Sequence, residues 1–180
     1  MLARRRSLSV EERRAASLWA QQSLLATPEY GMAQTVALYA AIHGEVETSL
    51  LFERALEDRK EVLFPAVCGE ELHFIRVTTS EGLQRGAFGI PEPCLTGERV
   101  PPEQADIILV PGVAFDLLGY RIGYGKGFYD RALHHVERQG KLVGFCYDFQ
   151  LVEKLVGEPH DVVLDLIVTD QRVVRPHGYQ

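Results

Sequence analysis

The stretch Asp106-Ile-Ile-Leu-Val-Pro111 decides the fold. Four consecutive branched apolar residues between a carboxylate and a proline suit a strand covered on both faces, as in a parallel sheet. Working outward toward the N-terminus, Thr35-Val-Ala-Leu-Tyr-Ala40 reads as a second buried strand. A helix is expected from about Thr48 to Asp58, with Leu50, Leu51, Ala55 and Leu56 on its inner side, followed by a short strand Glu61-Val-Leu-Phe64 ended by Pro65. Strand, helix, strand in that order implies a parallel pair. Further upstream, Ser9-Val-Glu-Glu12 is a capping-box pattern that opens a helix running to about Thr27, where Pro28 stops it. Leu72 to Val77 has partial strand character, and Gly86 to Pro93 is punctuated as a loop. Toward the C-terminus the reading is helix from Gly127 to about Gln139, strand Lys141–Tyr147, a short helix near Leu151 to Val156, and strand Val162–Val168. The pattern is α/β in three layers with a mostly parallel central sheet, in one domain spanning residues 1–180 and without internal repeats.

Composition excludes several function classes. Of 180 residues, 46% are hydrophobic and 24% charged, so the chain is globular, not disordered or fibrous, and a chain of this size buries roughly 70% of its unfolded surface. No stretch approaches the ~18 apolar residues of a membrane span, and Met-Leu-Ala-Arg-Arg-Arg runs into a charged helix, not a signal core. Cys68, Cys94 and Cys146 are far apart and lack C-x-x-C spacing, which suits a reducing cytoplasm better than disulfides or zinc. A net charge of −6 opposes wholesale nucleic-acid binding. It leaves room for small anions, because Arg4, Arg5, Arg6, Arg13 and Arg14 form one local basic cluster and Arg121, Lys126 and Arg131 another.

The second cluster flanks Arg121-Ile-Gly-Tyr-Gly-Lys-Gly-Phe-Tyr129, in a long irregular loop beyond the carboxyl end of the central strand, where open α/β sheets bind ligands. Gly123, Gly125 and Gly127 remove three side chains, so backbone N–H groups can approach an oxyanion, and the following helix offers N-terminal donors. Lys126 supplies a point charge for a terminal phosphate and Arg121 a forked donor. The G-x-G-x-G spacing matches neither the dinucleotide fingerprint nor the P-loop, so a turn that merely packs helix on sheet is the competing reading. Asp130, in the first helical turn, either complements the dipole or holds magnesium bridging phosphate oxygens. His160-Asp161 offers a second hard-metal carboxylate or a turn residue, and Glu47 or Thr48 can cap the helix that follows. Trp19, Tyr39, Phe88 and Tyr129 read as core aromatics and His134-His135 as a solvated pair. No Ser-His-Asp, Cys-His or H-E-x-x-H arrangement supports a covalent mechanism.

With these residues in view, the run from Ile107 to Asp116 and from Gly119 to Arg131 resembles the signature of the 5-formyltetrahydrofolate cyclo-ligase family, also called methenyltetrahydrofolate synthetases. Glu45-Val-Glu-Thr48, Gly89-Ile-Pro-Glu-Pro93, Glu158-Pro-His-Asp161 and Leu164-Asp165 match in the same order, so the resemblance covers about residues 4 to 170. It implies a Rossmann-like α/β sandwich and an ATP- and Mg2+-dependent closure of the 5,10-methenyl bridge of 5-formyltetrahydrofolate, releasing ADP and phosphate. It further implies ATP at Arg121, Ile122, Gly123, Tyr124, Gly125, Lys126, Gly127, Phe128 and Tyr129, with Lys126 and Arg121 as the catalytic cations. Folate falls to Ala40, Glu45, Tyr124, Gly125, Lys126, Gly127 and Phe128, and magnesium to Asp130 and Asp161. Family members usually carry a further N-terminal turn, Lys-x-x-Leu-Arg-like, on the ATP phosphates; here either the start is truncated or misassigned, or the arginines from Arg4 to Arg6 substitute, with Arg4 and Arg6 assigned to ATP. The expected protein is a cytoplasmic monomer whose partners are ATP and 5-formyltetrahydrofolate, without nucleic acid or membrane. The alternative is a non-catalytic nucleotide- or folate-binding homologue with weakened use of ATP.

Overall fold

In a computed structural model, which describes residues 1–85, 91–134, 136–137, 140–158 and 160–176, the run Ile107–Val110 is fully buried at the middle of a seven-stranded sheet. The strands in chain order are β1 (Thr35–Ala37), β2 (Glu61–Cys68), β3 (Glu71–Arg76), β4 (Leu83–Arg85), β5 (Pro91–Pro93), β6 (Ile107–Val110), β7 (Ala114–Asp116), β8 (Arg121–Ile122), β9 (Lys141–Phe145), β10 (Leu151–Val152), β11 (Leu166–Val168) and β12 (Val173–Val174). The main sheet has the order β12-β11-β9-β6-β1-β2-β3. Its five inner strands are parallel, and β3 and β12 close the edges antiparallel. The expected mostly parallel α/β sheet is therefore the observed one.

Period-two alternation sorts each strand into two cores. Val36, Val62, Phe64, Ile107, Leu109, Val143, Phe145, Leu166 and Val168 face one side, against α2 (Val10–Leu25), α3 (Pro28–Met32) and α4 (Ser49–Glu57), which follow a short first helix α1 (Leu2–Ser7). Ala37, Leu63, Ile108, Val110, Leu142 and Ile167 face the other, against Phe115, Leu164 and Leu133 of α5 (Phe128–Leu133). Among the described residues that second layer is thin: one six-residue helix and a small sheet of order β10-β7-β8.

The start of α2 is built as its sequence predicts. The Ser9 hydroxyl accepts from the Glu12 amide at 3.1 Å, and the Ser9 amide donates to the Glu12 carboxylate at 2.8 Å. Replacing Ser9 by Ala should cost about 1 kcal/mol, read as a lower urea midpoint with an unchanged slope. No helix among the described residues is long and apolar enough to cross a membrane.

Several local expectations are corrected. β2 does not end at Pro65 but runs to Cys68, pairing antiparallel with β3. Alternation turns the missing Pro65 N–H toward β1, which has already stopped at Ala37, so no ladder bond is lost. Leu151 to Val156 is not helical: Leu151–Val152 forms β10, pairing with Phe115 and Asp116. The helix after the glycines ends at Leu133, not near Gln139. Gly140 lies directly on the Ala105 carbonyl, which leaves no room for a Cβ, and the Lys141 amide donates to Asp106 O, so the chain turns back to the sheet early. The last parallel strand covers only Leu166–Val168, because the Leu164 amide is used by Gly119 O. Thr48 caps nothing with its side chain; its hydroxyl donates to Tyr39 O at 2.6 Å. Trp19 is not core but 61% exposed, whereas Tyr39 is buried. Pro91–Pro93, expected as part of a loop, forms β5 and pairs antiparallel with β4; Phe88, His135 and the rest of residues 86–90 lie outside the described residues. All three cysteines are free thiols.

Candidate active site

The chain passes from β1 to β2 on one side of β1 and later places β6 on its other side, so the loops after β1 and β6 diverge at a topological switch point. Both loops carry the expected residues. After β1, Tyr39 donates through its hydroxyl to Val46 O at 2.9 Å, and the chain turns at His43 and Gly44 with φ of 50° and 76°. This tight turn aims the Glu45 carboxylate inward, 4% exposed, where Oε2 accepts the Ile42 amide at 3.0 Å. Ala40, on the same loop, lines a mainly apolar cleft of about 290 Å³ with Thr48, Phe52, Phe64, Leu83 and Pro91.

After β6, the chain makes the β7-β8 hairpin and then the glycine stretch. Asp116, fully buried, holds this hairpin: Oδ1 accepts the Leu118 and Tyr120 amides at 3.0 and 2.8 Å, and Oδ2 the Leu155 amide at 2.7 Å. Gln150 supports the base of the loop, donating to Gly112 O and Val113 O at 3.1 and 3.0 Å. Gly125 and Gly127 take φ of 82° and 65°, a region that penalises a Cβ, and no atom stands within 4 Å of the position a Cβ of Gly125 would fill.

The glycine stretch reaches the first loop through Tyr124, whose hydroxyl donates to Glu45 Oε1 at 2.8 Å. Burial, then the Glu45 charge, pushes the Tyr124 phenol up to about 12. Burial likewise raises the Glu45 carboxyl, opposed by the Ile42 amide, the Tyr124 hydroxyl and the Arg5 and His43 charges. Tyr129 is packed on the second core, and burial beside Glu45 pushes its phenol far above the ordinary value. Lys126, Ile122, Gly125 and Tyr124 are exposed along the rim, with Gly123 and Phe128 half-buried. Arg131 braces the tip, donating to Lys126 O at 2.8 Å and to Glu70 O at 3.0 Å in the β2-β3 hairpin.

Arg121 and Asp130 form an ion pair at 3.1 Å. The Arg121 side chain is only 6% exposed, yet its Nε has no partner among the described residues, so a buried donor is left over beside the glycines. Asp130 Oδ1 also accepts the Val162 amide at 3.2 Å, which brings residues 161–162 against α5. Asp161 accepts the Glu158 amide at 2.7 Å and groups with Glu158 and His160, their ligand atoms within 4.8 Å of one another. Asp130 is outside that group, so the two carboxylates expected to hold magnesium are brought near through backbone and not as a ready cluster. The oxygen-rich donor set suits a hard divalent cation, with Asp130 Oδ2 outside the Arg121 and Val162 contacts.

The N-terminal arginines are arranged differently from the expectation. Arg4 and Arg6 are exposed, Arg4 lying over the Phe149 ring at 4.6 Å, and it is Arg5 that enters the site, 1% exposed. Nothing in the spacing of Arg4-Arg-Arg6 distinguishes the three; the inward choice follows from how α1 docks. Asp116 and Gln150 carry no role in the sequence reading, although Asp116 falls inside the signature run, and Arg131, read only as part of a basic cluster, serves as a brace for the loop tip.

Comparison with known proteins agrees with this architecture. Residues 1–170 match the model of the 5-formyltetrahydrofolate cyclo-ligase family. The 5-formyltetrahydrofolate cyclo-ligase of Escherichia coli K12 is 34% identical over 175 residues, covering 94% of this chain and 96% of that protein. Among solved structures, the 5,10-methenyltetrahydrofolate synthetase of Aquifex aeolicus superposes with a TM-score of 0.87 at 45% identity, covering 99% of this chain and 90% of that one. The corresponding Mycoplasma pneumoniae enzyme gives 0.77 at 31% identity, covering 94% and 93%. With a matching family model over almost its whole length, relatives of full length and a shared fold, the chain belongs to the 5-formyltetrahydrofolate cyclo-ligase family.

Proposed function

We propose that the chain is an ATP- and Mg2+-dependent ligase that converts 5-formyltetrahydrofolate to 5,10-methenyltetrahydrofolate with release of ADP and phosphate. The observation that carries this reading is the meeting of two loops at the switch point: a buried acidic acceptor, Glu45, bonded through Tyr124 to a glycine stretch flanked by Lys126 and Arg121. One loop suits a ring bearing N–H donors, with the apolar cleft beside Ala40 for its aromatic extension. The other suits phosphates.

The chemistry needs no protein nucleophile, because the substrate brings its own. Transfer of the γ-phosphoryl group to the formyl oxygen makes that oxygen a leaving group. The neighbouring folate nitrogen then attacks the formyl-derived carbon, its proton passes to solvent, and the C–O bond breaks with departure of phosphate. Gly123, Gly125 and Gly127 leave the backbone amides free to approach the phosphates, Lys126 neutralises charge that develops during transfer, and the unpartnered Arg121 Nε is a buried donor at the same place. Asp130 and Asp161 are the carboxylates assigned to Mg2+, which when bound screens the phosphate oxygens. We read the protein as a single-domain cytoplasmic monomer.

The test is nucleotide turnover. Purified protein with Mg2+ and ATP should release ADP only when 5-formyltetrahydrofolate is added, one ADP per folate converted. Calorimetric binding of either ligand without folate-stimulated ADP release would favour a non-catalytic binding homologue instead.

A further inference from the structure

Arg5 is a charged residue on a six-residue helix, yet it is among the most completely buried side chains of the chain. Its guanidinium donates to three oxygens, none of them a carboxylate: His43 O at 3.0 Å, Gly112 O at 3.4 Å and the Tyr124 hydroxyl. These belong to the loop after β1, the loop after β6 and the tip of the glycine stretch, the three segments that build the crevice. A planar fork of five N–H donors can tie three segments in this way, whereas an ammonium point charge cannot fix their mutual orientation. The Tyr124 hydroxyl accepts from Arg5 and donates to Glu45 Oε1, so one phenol couples a buried cation to a buried anion. The polarity of that relay is fixed: Arg5 can only donate, so the phenol spends its single proton on Glu45, which accepts as a carboxylate.

Resting on the folate reading above, we propose that Arg5 is a positioning residue, acting through Tyr124 to hold Glu45 as an ordered anionic acceptor, so that α1 forms part of the substrate site. The groups facing Glu45 are consistent with Arg5 as its main buried counter-charge. Arg13 of α2 lies near Gly44, at 3.4 Å from where a Cβ there would sit; His43 shares the loop; Glu47 follows it; and Tyr39, Tyr129 and Tyr147 contribute phenols, the last donating to Glu45 O at 3.3 Å. Burial raises the Glu45 carboxyl and the Arg5 charge opposes that rise. Removing Arg5 should therefore move Glu45 protonation to higher pH, and with it the acid limb of folate binding.

The experiment is a double-mutant cycle on the full chain with Arg5→Met, Tyr124→Phe and the pair, plus Arg5→Lys. Calorimetric dissociation constants for 5-formyltetrahydrofolate and for ATP are measured across pH. Arg5→Met should weaken folate binding about tenfold, with the ATP constant changed less than about twofold, as expected when a supporting side chain is lost. Its acid limb should move up in pH; the loss of folate affinity should largely vanish in the Tyr124→Phe background, whereas the acid-limb shift, which the Arg5 charge carries directly, should persist there. Arg5→Lys should keep the pH limb near its original position while still weakening folate, which also covers the case of an Arg5→Met protein that does not fold. Equal loss of folate affinity in both Tyr124 backgrounds, or an unmoved acid limb, would overturn the proposal. If the wild-type protein bound no folate, the substrate reading itself would fall. The same cycle in urea unfolding, which needs no ligand, would still decide the clamp: non-additive midpoints uphold it and additive ones overturn it.

Discussion

Replacing Asp116 by Ala should lower the unfolding free energy by about 3 kcal/mol, because the part-buried amides of Leu118, Tyr120 and Leu155 would lose one buried charged acceptor at once. The carboxylate is fully buried, so water cannot easily replace it. Asp116→Asn keeps an acceptor oxygen in the same place and should cost about half as much. The β7-β8 hairpin carries the glycine stretch, so the proposed ATP-dependent activity should fail at a lower temperature than in the wild-type protein. Urea unfolding checks the claim; a loss below about 1 kcal/mol would mean that the hairpin does not depend on these bonds.

Lys126→Ala should leave stability unchanged, since the side chain is exposed, but lower turnover roughly 100-fold, the loss typical of removing one preorganised group that stabilises developing charge. The folate dissociation constant should stay within about threefold, because a group acting on the phosphoryl in flight contributes little to ground-state folate binding. Steady-state rates together with calorimetry separate the two effects. Unchanged turnover would remove Lys126 from the mechanism, and an equal loss in folate affinity would make it a binding residue.

The sheet was legible because its strands are short apolar runs with turn residues between them. Ile107–Val110 is buried on both faces as its four branched residues require, and the capping box at Ser9 starts α2 where it should. What sequence misplaced has a local reason in each case. Leu151–Val152 is too short for its period to separate strand from helix, and it is drawn into β10 by the edge that β7 offers. Pro65 stops a strand only where its missing N–H is needed, and β1 had ended. The glycine stretch and Glu45 stood out because special backbone and a family signature coincide there. Arg5 did not, because three adjacent arginines are equivalent until tertiary packing points one of them inward. Asp130 illustrates the same limit: its place in the first helical turn was readable, but its pairing with Arg121 and the Val162 amide depends on a contact between distant parts of the chain.

The central claim is the ATP-dependent closure of the folate ring, and the appearance of the methenyl chromophore follows it directly. Incubation of the purified chain with 5-formyltetrahydrofolate, ATP and Mg2+ should generate the 5,10-methenyl absorbance, which should disappear when nucleotide is omitted or Mg2+ is chelated. An absorbance that never develops with all three present, from protein shown to be folded, would contradict the account.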